Sequence, residues 1–522
     1  RRNDYCLYCM TRPFYITTPI YYVNGAPHIG HAYTSVAADV MARFHRLAGD
    51  DVFFLTGTDE HGQKVEQAAQ AAGVAPKAFA DRVSDDFRSM ADAMAISYDD
   101  FIRTTEPRHI KGAQALWQKV AENDAIYLGA YEGWYALRDE CFYGEDELIA
   151  GPDGQKTAPT GAPVEWVKEP SYFFRLSAFQ DRLLAYYEAN PDFLGPHGMK
   201  REIVSFVKQG LRDLSISRTS FNWGIPVPGD EKHVMYVWFD ALANYLSALD
   251  YPNTDAALMR FWPASLHLVG KDIARFHAIY WPAFLMAAGI ELPKKIFANG
   301  WWTIEGQKMS KSLGNVVDPR DLVKEFGLDA VRFFLLREVP FGGDSDLSRK
   351  SLITRNNVEL ANDLGNLAQR TLSLVARNCG GILPERRTLT EEDTQILNHV
   401  AVLQDLMASQ MDRCALTDAL EDVWKVIRAC NAYIDHQAPW ALKKTDIERM
   451  NDVLRVLVDA LRGIATMLQP FMPQSMDRML TQLGVTEEER SFASLEMPLP
   501  GGRQLPAPQG IFPRYVEAVD PA

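Results

Sequence analysis

Two histidines in a short turn have the chemistry to bind a polyphosphate. His28 and His31 flank Gly30 at the point where a β-type run gives way to a helix. A helix N-terminus offers free N–H groups and the positive end of the helix dipole, and imidazole N–H groups can donate to phosphate oxygens. The alternative interpretation is a pair of surface histidines beside a turn, and a pattern this short leaves both open.

A second segment carries two lysines with related chemistry. Lys308 and Lys311 lie between Gly306 and Gly314. Two ammonium groups on a glycine-bounded loop could close over a phosphate chain whose charge shifts during a reaction. Taken alone, the same residues also fit a solvated basic turn.

The elements that must hold the first motif form a predicted βαβ unit. Residues 14–22 and 52–55 have the composition of strands, and a helix is predicted to begin near His31 and end at Gly49. Strand, helix and strand in this order imply a parallel sheet that binds its ligand at the carboxyl ends of the strands.

The pattern changes twice further along the chain. Residues 117–226 hold short aromatic segments between turns, which predicts an insertion inside the sheet domain. Strands are predicted again at residues 233–239 and 265–269. After about Ser351 nearly every segment has helical periodicity, most clearly at residues 454–468. An α/β part followed by an all-helical part indicates two kinds of domain.

Composition excludes several classes of protein. Of 522 residues, 47% are hydrophobic and 23% charged, which excludes a collagen-like or mainly disordered chain. The longest apolar stretch contains His277 and Pro282 and is too short to cross a bilayer. A net charge of −14 excludes a uniformly basic coat but allows a polyanion to bind a local patch. Six cysteines favour a reducing compartment, so a cytoplasmic protein that does not bind membranes is expected.

The two motifs together are more specific than either one alone. In this order, at opposite ends of an interrupted α/β domain, they resemble a class I aminoacyl-tRNA synthetase. Neither a P-loop nor a GxGxxG motif is present, which weakens rival nucleotide-binding folds. Four further segments are similar to methionyl-tRNA synthetase, namely residues 56–62, 236–241, 270–273 and 438–440.

This resemblance implies an α/β Rossmann-like catalytic domain with an inserted connective domain, followed by an all-α anticodon-binding helical bundle. The predicted segments are a leader at 1–9, the first catalytic half at 10–116, the connective insertion at 117–226, the second catalytic half at 227–300, a KMSKS and stem-contact region at 301–350, and the helical anticodon-binding domain with its tail at 351–522. Cys6 and Cys9 fall in the leader and are not expected to bind metal.

The resemblance also implies an activity and its partners. A methionine–tRNA ligase forms methionyl-adenylate from L-methionine and ATP, then transfers methionine to the 2′-hydroxyl of initiator and elongator tRNA(Met). Mg²⁺ is expected to travel with ATP. Many relatives carry CxxC knuckles in the insertion, whereas this insertion holds only Cys141, so no zinc is expected. A monomer is expected.

Functional residues follow from the resemblance position by position. The expected catalytic residues are His28, His31, Lys308 and Lys311, joined in the ATP site by Gly30, Gly270 and Asp272. The expected methionine site comprises Ile20, Tyr22, Asp59, Trp238, Ala241, Leu242, Tyr245, Ile273, His277 and Trp281. The expected anticodon contacts are Asn366, Arg370, Pro439 and Trp440. Leu242 and Asn244 differ from some relatives, which leaves the shape of the pocket open.

Three of these assignments have plain structural alternatives. By local sequence Asp59 fits a helix N-cap. Ile273, His277 and Trp281 share one helix face, as core stripes do. Trp440, after a proline, fits a core aromatic residue. The resemblance favours a site in each case, with His277 as pocket wall rather than base or metal ligand.

Other functions stay open as alternatives. Synthetases for isoleucine, valine or leucine carry a large editing insertion that this chain has no room for, and the cysteine enzyme needs a zinc site for its substrate. A non-catalytic tRNA-binding scaffold would not need the intact histidines and lysines. A nucleotidylyltransferase would leave the helical half without a task.

Overall fold

The computed structural model describes residues 11–517, and its first part alternates strands with helices. The elements are β1 (Pro13–Tyr22), α1 (Ile29–Leu47), β2 (Asp51–Asp59), α2 (Gln63–Ala71), α3 (Pro76–Ala93), β3 (Asp100–Arg103) and α4 (Pro107–Glu122). The strands predicted at residues 14–22 and 52–55 are confirmed. The helix predicted to begin near His31 begins at Ile29, because His28 already caps it. The predicted leader, with Cys6 and Cys9, lies outside the described residues.

A parallel sheet of six strands organises this part of the molecule. Its order is β3-β2-β1-β14-β15-β9, where β14 is Leu266–Gly270, β15 is Ile296–Asn299 and β9 is Leu194–Gly195. Each neighbouring pair runs parallel. The chain leaves β1 towards β2 on one side and later returns to pair β14 on the other, so a crevice opens at the carboxyl end of β1. Tyr22 and Asp59 are register partners at that edge.

The predicted insertion forms its own antiparallel sheet, in the order β10-β8-β4-β5. Its elements are β4 (Ile126–Ala136), β5 (Cys141–Tyr143), β6 (Ile149–Ala150), β7 (Lys156–Thr157), β8 (Glu165–Phe174), α5 (Gln180–Ala189), β9 (Leu194–Gly195), α6 (His197–Lys208), β10 (Leu214–Ser215) and β11 (Ser217–Arg218). Strand β9 pairs with β15, so the insertion also supplies an edge strand of the main sheet. Helix α4 runs through the predicted boundary at 116/117.

The chain then returns to the main sheet. The elements are β12 (Pro226–Val227), β13 (Asp230–Met235), α7 (Val237–Leu242), α8 (Asn244–Ser247), β14 (Leu266–Gly270), α9 (Trp281–Ala288), β15 (Ile296–Asn299), β16 (Trp302–Ile304), β17 (Gln307–Lys308), α10 (Pro319–Phe326), α11 (Leu328–Arg337) and β18 (Ser345–Leu347). The strand at 265–269 is confirmed.

The strand predicted at residues 233–239 is wrong in its second half. It ends at Met235, and α7 follows at once. The aromatic, β-branched run has strand propensity, but in α7 Asp240 points inward and its carboxylate accepts from two buried imidazoles. Tertiary contacts here override local propensity.

The remainder is helical, as predicted. The helices are α12 (Arg349–Arg355), a π-helical stretch (Asn356–Gly365), α13 (Asn366–Asn378), α14 (Glu391–Ala401), α15 (Leu403–Asp412), α16 (Leu416–Gln437), α17 (Pro439–Thr445), α18 (Ile447–Leu468) and α19 (Pro473–Gln482). One apolar core joins α1 and α11 to α13, α16 and α18. No helix within residues 11–517 combines the length and apolar character that crossing a membrane requires.

A buried ion pair ties the helical part to the sheet domain. Arg332 on α11 donates to Asp39 on α1 over 2.7 Å, and neither side chain is exposed. The same guanidinium donates to the carbonyls of Pro470 and Phe471, which follow α18. The two parts are therefore joined by polar as well as apolar contacts.

Candidate active site and tRNA surface

The two histidines cap the first helix and are neutral. The Nδ1 atom of His28 accepts from the Gly30 N–H at 3.1 Å, and the Nδ1 atom of His31 accepts from the His28 N–H at 3.0 Å. Partial burial, and then Lys311, lower the pKa of His28 to about 4, and burial holds the pKa of His31 well below its usual value. Because both Nδ1 atoms accept, each ring carries its proton on Nε2 and can donate it to a ligand.

The lysine loop reaches the same turn. The backbone N–H of Ile29 donates to Val317 at the end of the loop, over 3.1 Å. A Cβ atom at Gly25 would lie only 2.9 Å from the Lys311 ammonium, so this lysine rests against the turn between β1 and α1. Lys308 is exposed on β17. The structure therefore brings the two motifs together at one edge of the sheet.

Asn315 holds the shape of this loop. Its side-chain oxygen accepts from the Ser310 N–H at 2.8 Å, and its amide donates to the Lys308 carbonyl at 3.1 Å. Gly314 has a φ of +64°, in the left-handed region that favours glycine. Asparagine and glycine thus explain how a loop with two lysines keeps a defined path.

Asp59 is a buried carboxylate with an open hydrogen-bonding position. Its Oδ1 atom is buried and has no partner within the described part of the chain. Burial raises the pKa of Asp59 well above its usual value, and Asp240 and Glu140 raise it further. The helix N-cap alternative is wrong, because Gly62 occupies that position of α2. A buried carboxylate oxygen without a partner is costly, and a cationic ligand would relieve that cost.

An aromatic cluster near Asp59 joins α7 and α8 to the stretch that leads into α9. The Tyr245 hydroxyl lies 2.7 Å from His277 Nε2, and His277 Nδ1 lies 3.0 Å from the Ile273 carbonyl. The carbonyl can only accept, so Nδ1 carries the proton and the Tyr245 hydroxyl donates to Nε2. Burial lowers the pKa of His277 to about 4, and a neutral ring with both nitrogens occupied fits a pocket wall.

Other aromatic residues complete the wall. The ring of Trp238 stacks on that of Phe276, with 3.9 Å between the ring centroids, and the centroid of the His277 ring lies 6.0 Å from that of Trp238. Trp281 is fully buried, 5.9 Å from Tyr245. Residues 276–280 form a π-helical turn, which rotates the face predicted from α-helical spacing.

The remaining predicted residues differ in exposure. Ile20, Tyr22 and Ile273 are half-buried, whereas Ala241 and Leu242 are buried on α7. At Gly270 an added Cβ would lie 2.5 Å from Asp272 Oδ1, so any other residue at the carboxyl end of β14 would displace the Asp272 side chain. Asp272 is exposed there.

A second candidate surface lies on the helical part. The Arg370 guanidinium on α13 lies 5.1 Å from the ring centroid of Trp440 on α17. Trp440 is 41% exposed, so the core alternative is wrong. Pro439 is buried as the first residue of α17, and Asn366 lies one turn before Arg370. An exposed aromatic face beside an arginine and an amide can stack on an unpaired base and bond to it.

Comparisons with known proteins agree over nearly the whole chain. The family described as "tRNA synthetases class I (M)" matches residues 14–372, and the "Anticodon binding domain of methionyl tRNA ligase" matches residues 383–519. A methionine–tRNA ligase of Brucella suis biovar 1 (strain 1330) is 55% identical over 97% of this chain and 98% of its own length. That of Rickettsia bellii (strain RML369-C) is 56% identical over 97% of this chain and 100% of its own.

A solved structure gives the same result. Mycobacterium tuberculosis methionyl-tRNA synthetase in complex with methionyl-adenylate superimposes with a TM-score of 0.95 at 50% identity, covering 97% of this chain and 100% of that chain. This chain belongs to the class I methionyl-tRNA synthetases. Its activity is methionine–tRNA ligation, so the predicted fold class, enzyme class and activity are confirmed.

Sequence reasoning missed three buried groups at the site of this methionyl-tRNA synthetase. Arg218 is buried, and its Nε and Nη2 atoms have no partner within the described residues. His267 on β14 lies between Thr17, at 2.6 Å, and Trp281, at 3.3 Å. Glu140 comes from the insertion and accepts a hydrogen bond from Tyr22. None belongs to a short motif, and each is brought to the site by a contact distant in sequence.

Proposed function

We propose that the crevice at the carboxyl ends of β1 and β2 binds methionine and ATP side by side. The observation that carries this proposal is the unpartnered, buried Oδ1 atom of Asp59 next to an aromatic pocket. Methionine has an ammonium group for that carboxylate and a polarizable thioether for aromatic walls. Its carboxylate is left free to react.

The methionine side chain lies among the residues of the pocket. Tyr22 and Asp59 face the backbone of the substrate. The thioether lies among Ile20, Trp238, Ala241, Leu242, Tyr245, Ile273, His277 and Trp281. His277 acts as a neutral wall, since its two nitrogens already bond to Tyr245 and Ile273.

Adenylation needs positioning rather than a base. The methionine carboxylate is ionised at pH 7 and attacks the α-phosphorus of ATP, while pyrophosphate leaves. His28 and His31 donate their Nε2 protons to phosphate oxygens, and Gly30, Gly270 and Asp272 line the nucleotide site. Lys308 and Lys311 stabilise the charge on the departing pyrophosphate. Mg²⁺ enters bound to ATP as part of the substrate.

Transfer to tRNA uses both parts of the chain. The 2′-hydroxyl of the terminal adenosine attacks the methionyl carbonyl and AMP leaves. Asn366, Arg370 and Trp440 read the anticodon shared by initiator and elongator tRNA(Met), and the buried Pro439 begins the helix that presents Trp440. The exposed ring of Trp440 beside Arg370 supports this assignment.

We further propose a cytoplasmic monomer whose insertion binds no zinc. Cys141, the single cysteine of the insertion, is buried, and its Sγ atom lies 3.3 Å from the Phe142 carbonyl. Within residues 11–517 no three His, Cys, Asp or Glu side chains are grouped as metal ligands. Metal analysis of the purified protein tests the absence of zinc, and stoichiometric zinc would contradict it. Light scattering tests the monomer, and a stable dimer would contradict it.

The deciding experiment is ATP–pyrophosphate exchange with each standard amino acid, without tRNA. We expect exchange with methionine and a large loss in Asp59→Asn. Exchange with another amino acid would overturn the pocket assignment. An unchanged methionine KM in Asp59→Asn would overturn the role of Asp59 alone.

A further inference from the structure

Glu140 is a buried carboxylate that the insertion places against the methionine pocket. It lies in the turn between β4 and β5, is 5% exposed, and has a φ of +47°. A residue other than glycine in the left-handed region is strained, and such a conformation persists only where neighbouring contacts hold it.

Those contacts reach three elements of the pocket. Glu140 Oε1 accepts from the Tyr22 hydroxyl at 2.5 Å and from the Lys64 backbone N–H at 3.2 Å. Its backbone carbonyl accepts from the Tyr236 hydroxyl at 2.8 Å. A Cβ atom at Gly62 would lie 2.7 Å from Glu140 Oε1, so Gly62 makes room for the carboxylate. One insertion residue therefore contacts the end of β1, the start of α2 and the residue before α7.

The ionisation of Glu140 and that of Asp59 are coupled through burial and nearby charge. Burial raises the pKa of Glu140 to about 7, although Tyr22, Lys64 and Arg218 lower it. The pKa of Asp59, in turn, is raised by burial, by Asp240 and by Glu140.

The charged and titratable neighbours of the two carboxyl groups are as follows. Glu140 faces Tyr22, Lys64, Tyr135 and Arg218, and Asp59 faces Glu60 and Asp240. Without a ligand, ionisation of either carboxyl group opposes ionisation of the other.

We propose that Glu140 is a positioning residue of the methionine site, which orients the Tyr22 hydroxyl. In the absence of methionine, the Glu140 and Asp59 carboxyl groups together retain a proton, and the ammonium group of bound methionine displaces this proton to solvent. This inference rests on the proposed role of Asp59. The ammonium adds the positive charge that lets both carboxyl groups ionise, so methionine binding is linked to proton release. No covalent bond changes in this step.

Wild-type protein tests the proton directly. Methionine binding is measured by calorimetry at pH 7 in two buffers of different ionisation enthalpy, which gives the number of protons released. We expect a measurable fraction of a proton to be released. Binding without release in the wild type would overturn the proposal, whatever the variants show.

Glu140→Gln tests the residue itself. The amide oxygen can still accept from Tyr22, but the negative charge is gone. We expect less proton release, a methionine KM about 3- to 10-fold higher, and an unchanged ATP KM. The acid limb of kcat/KM for methionine should move to lower pH, since Asp59 ionises more easily. Equal proton release and an unmoved acid limb would mean that Glu140 has only a structural role.

Two further variants separate the possible failures. Glu132→Gln removes an exposed carboxylate from the same insertion sheet and should leave exchange unchanged. Asp59→Asn tests the proposed function independently. If Asp59→Asn raises the methionine KM while Glu140→Gln does not, the role of Glu140 fails and that of Asp59 stands. If neither variant raises it, both assignments fail.

Discussion

Replacing Trp440 with alanine should separate tRNA recognition from amino-acid activation. Its ring is 41% exposed and lies 5.1 Å from the Arg370 guanidinium. Stacking of a base on an aromatic side chain contributes about 1–3 kcal/mol, which corresponds to a roughly 5- to 160-fold loss in kcat/KM for tRNA. The proposed active site lies in the other part of the chain, so methionine-dependent pyrophosphate exchange should not change.

The assay compares aminoacylation of tRNA(Met) with exchange on the same preparation. Trp440→Phe keeps an aromatic face and should recover much of the loss. Leu406→Ala removes an equally exposed apolar side chain from α15 and controls for nonspecific effects on the helical part. An equal fall of charging and exchange in Trp440→Ala, with a lower melting temperature, would refute the stacking role and indicate a folding role.

Three further outcomes are expected. Lys311→Ala should slow single-turnover adenylation and leave methionine binding unchanged. An unchanged adenylation rate would mean that Lys311 does not stabilise the transition state. Because the lowered pKa values keep His28 and His31 neutral, kcat/KM for ATP at saturating methionine should show no inflection from them between about pH 5 and pH 8. Arg332→Ala should destabilise the protein to urea by about 1–3 kcal/mol, because Asp39 keeps Arg43 and Ser97 but loses its buried partner, and the buried carbonyls that Arg332 serves lose their donor. Although burial raises the pKa of Asp39, Arg332, Arg43 and Ser97 together bring it below its usual value, so the stabilisation by the ionised carboxylate is present near neutral pH and is lost as pH falls below about 4.

Much of the fold could be predicted from the sequence. Strand β1, strand β2 and the long helix α18 have a regular spacing of apolar residues and are bounded by residues that end strands or helices, and both features are local in sequence. The errors came where distant contacts decide the backbone. Helix α7 replaces the end of a predicted strand because Asp240 bonds to His61 and His109. Strand β9 joins the main sheet from inside the insertion, a pairing that its two residues cannot encode locally.

The same division applies to the site. The sequence alone identified the two turn histidines, the lysine loop and the family, because short motifs fix which chemical groups the chain carries and in what order. Tertiary structure decided the protonation of those groups and their neighbours. Folding makes His28 neutral, leaves the Oδ1 atom of Asp59 without a partner among the described residues and brings Glu140 from the insertion to Tyr22. Desolvation and charge proximity depend on residues far apart in the chain, so only the folded molecule defines them.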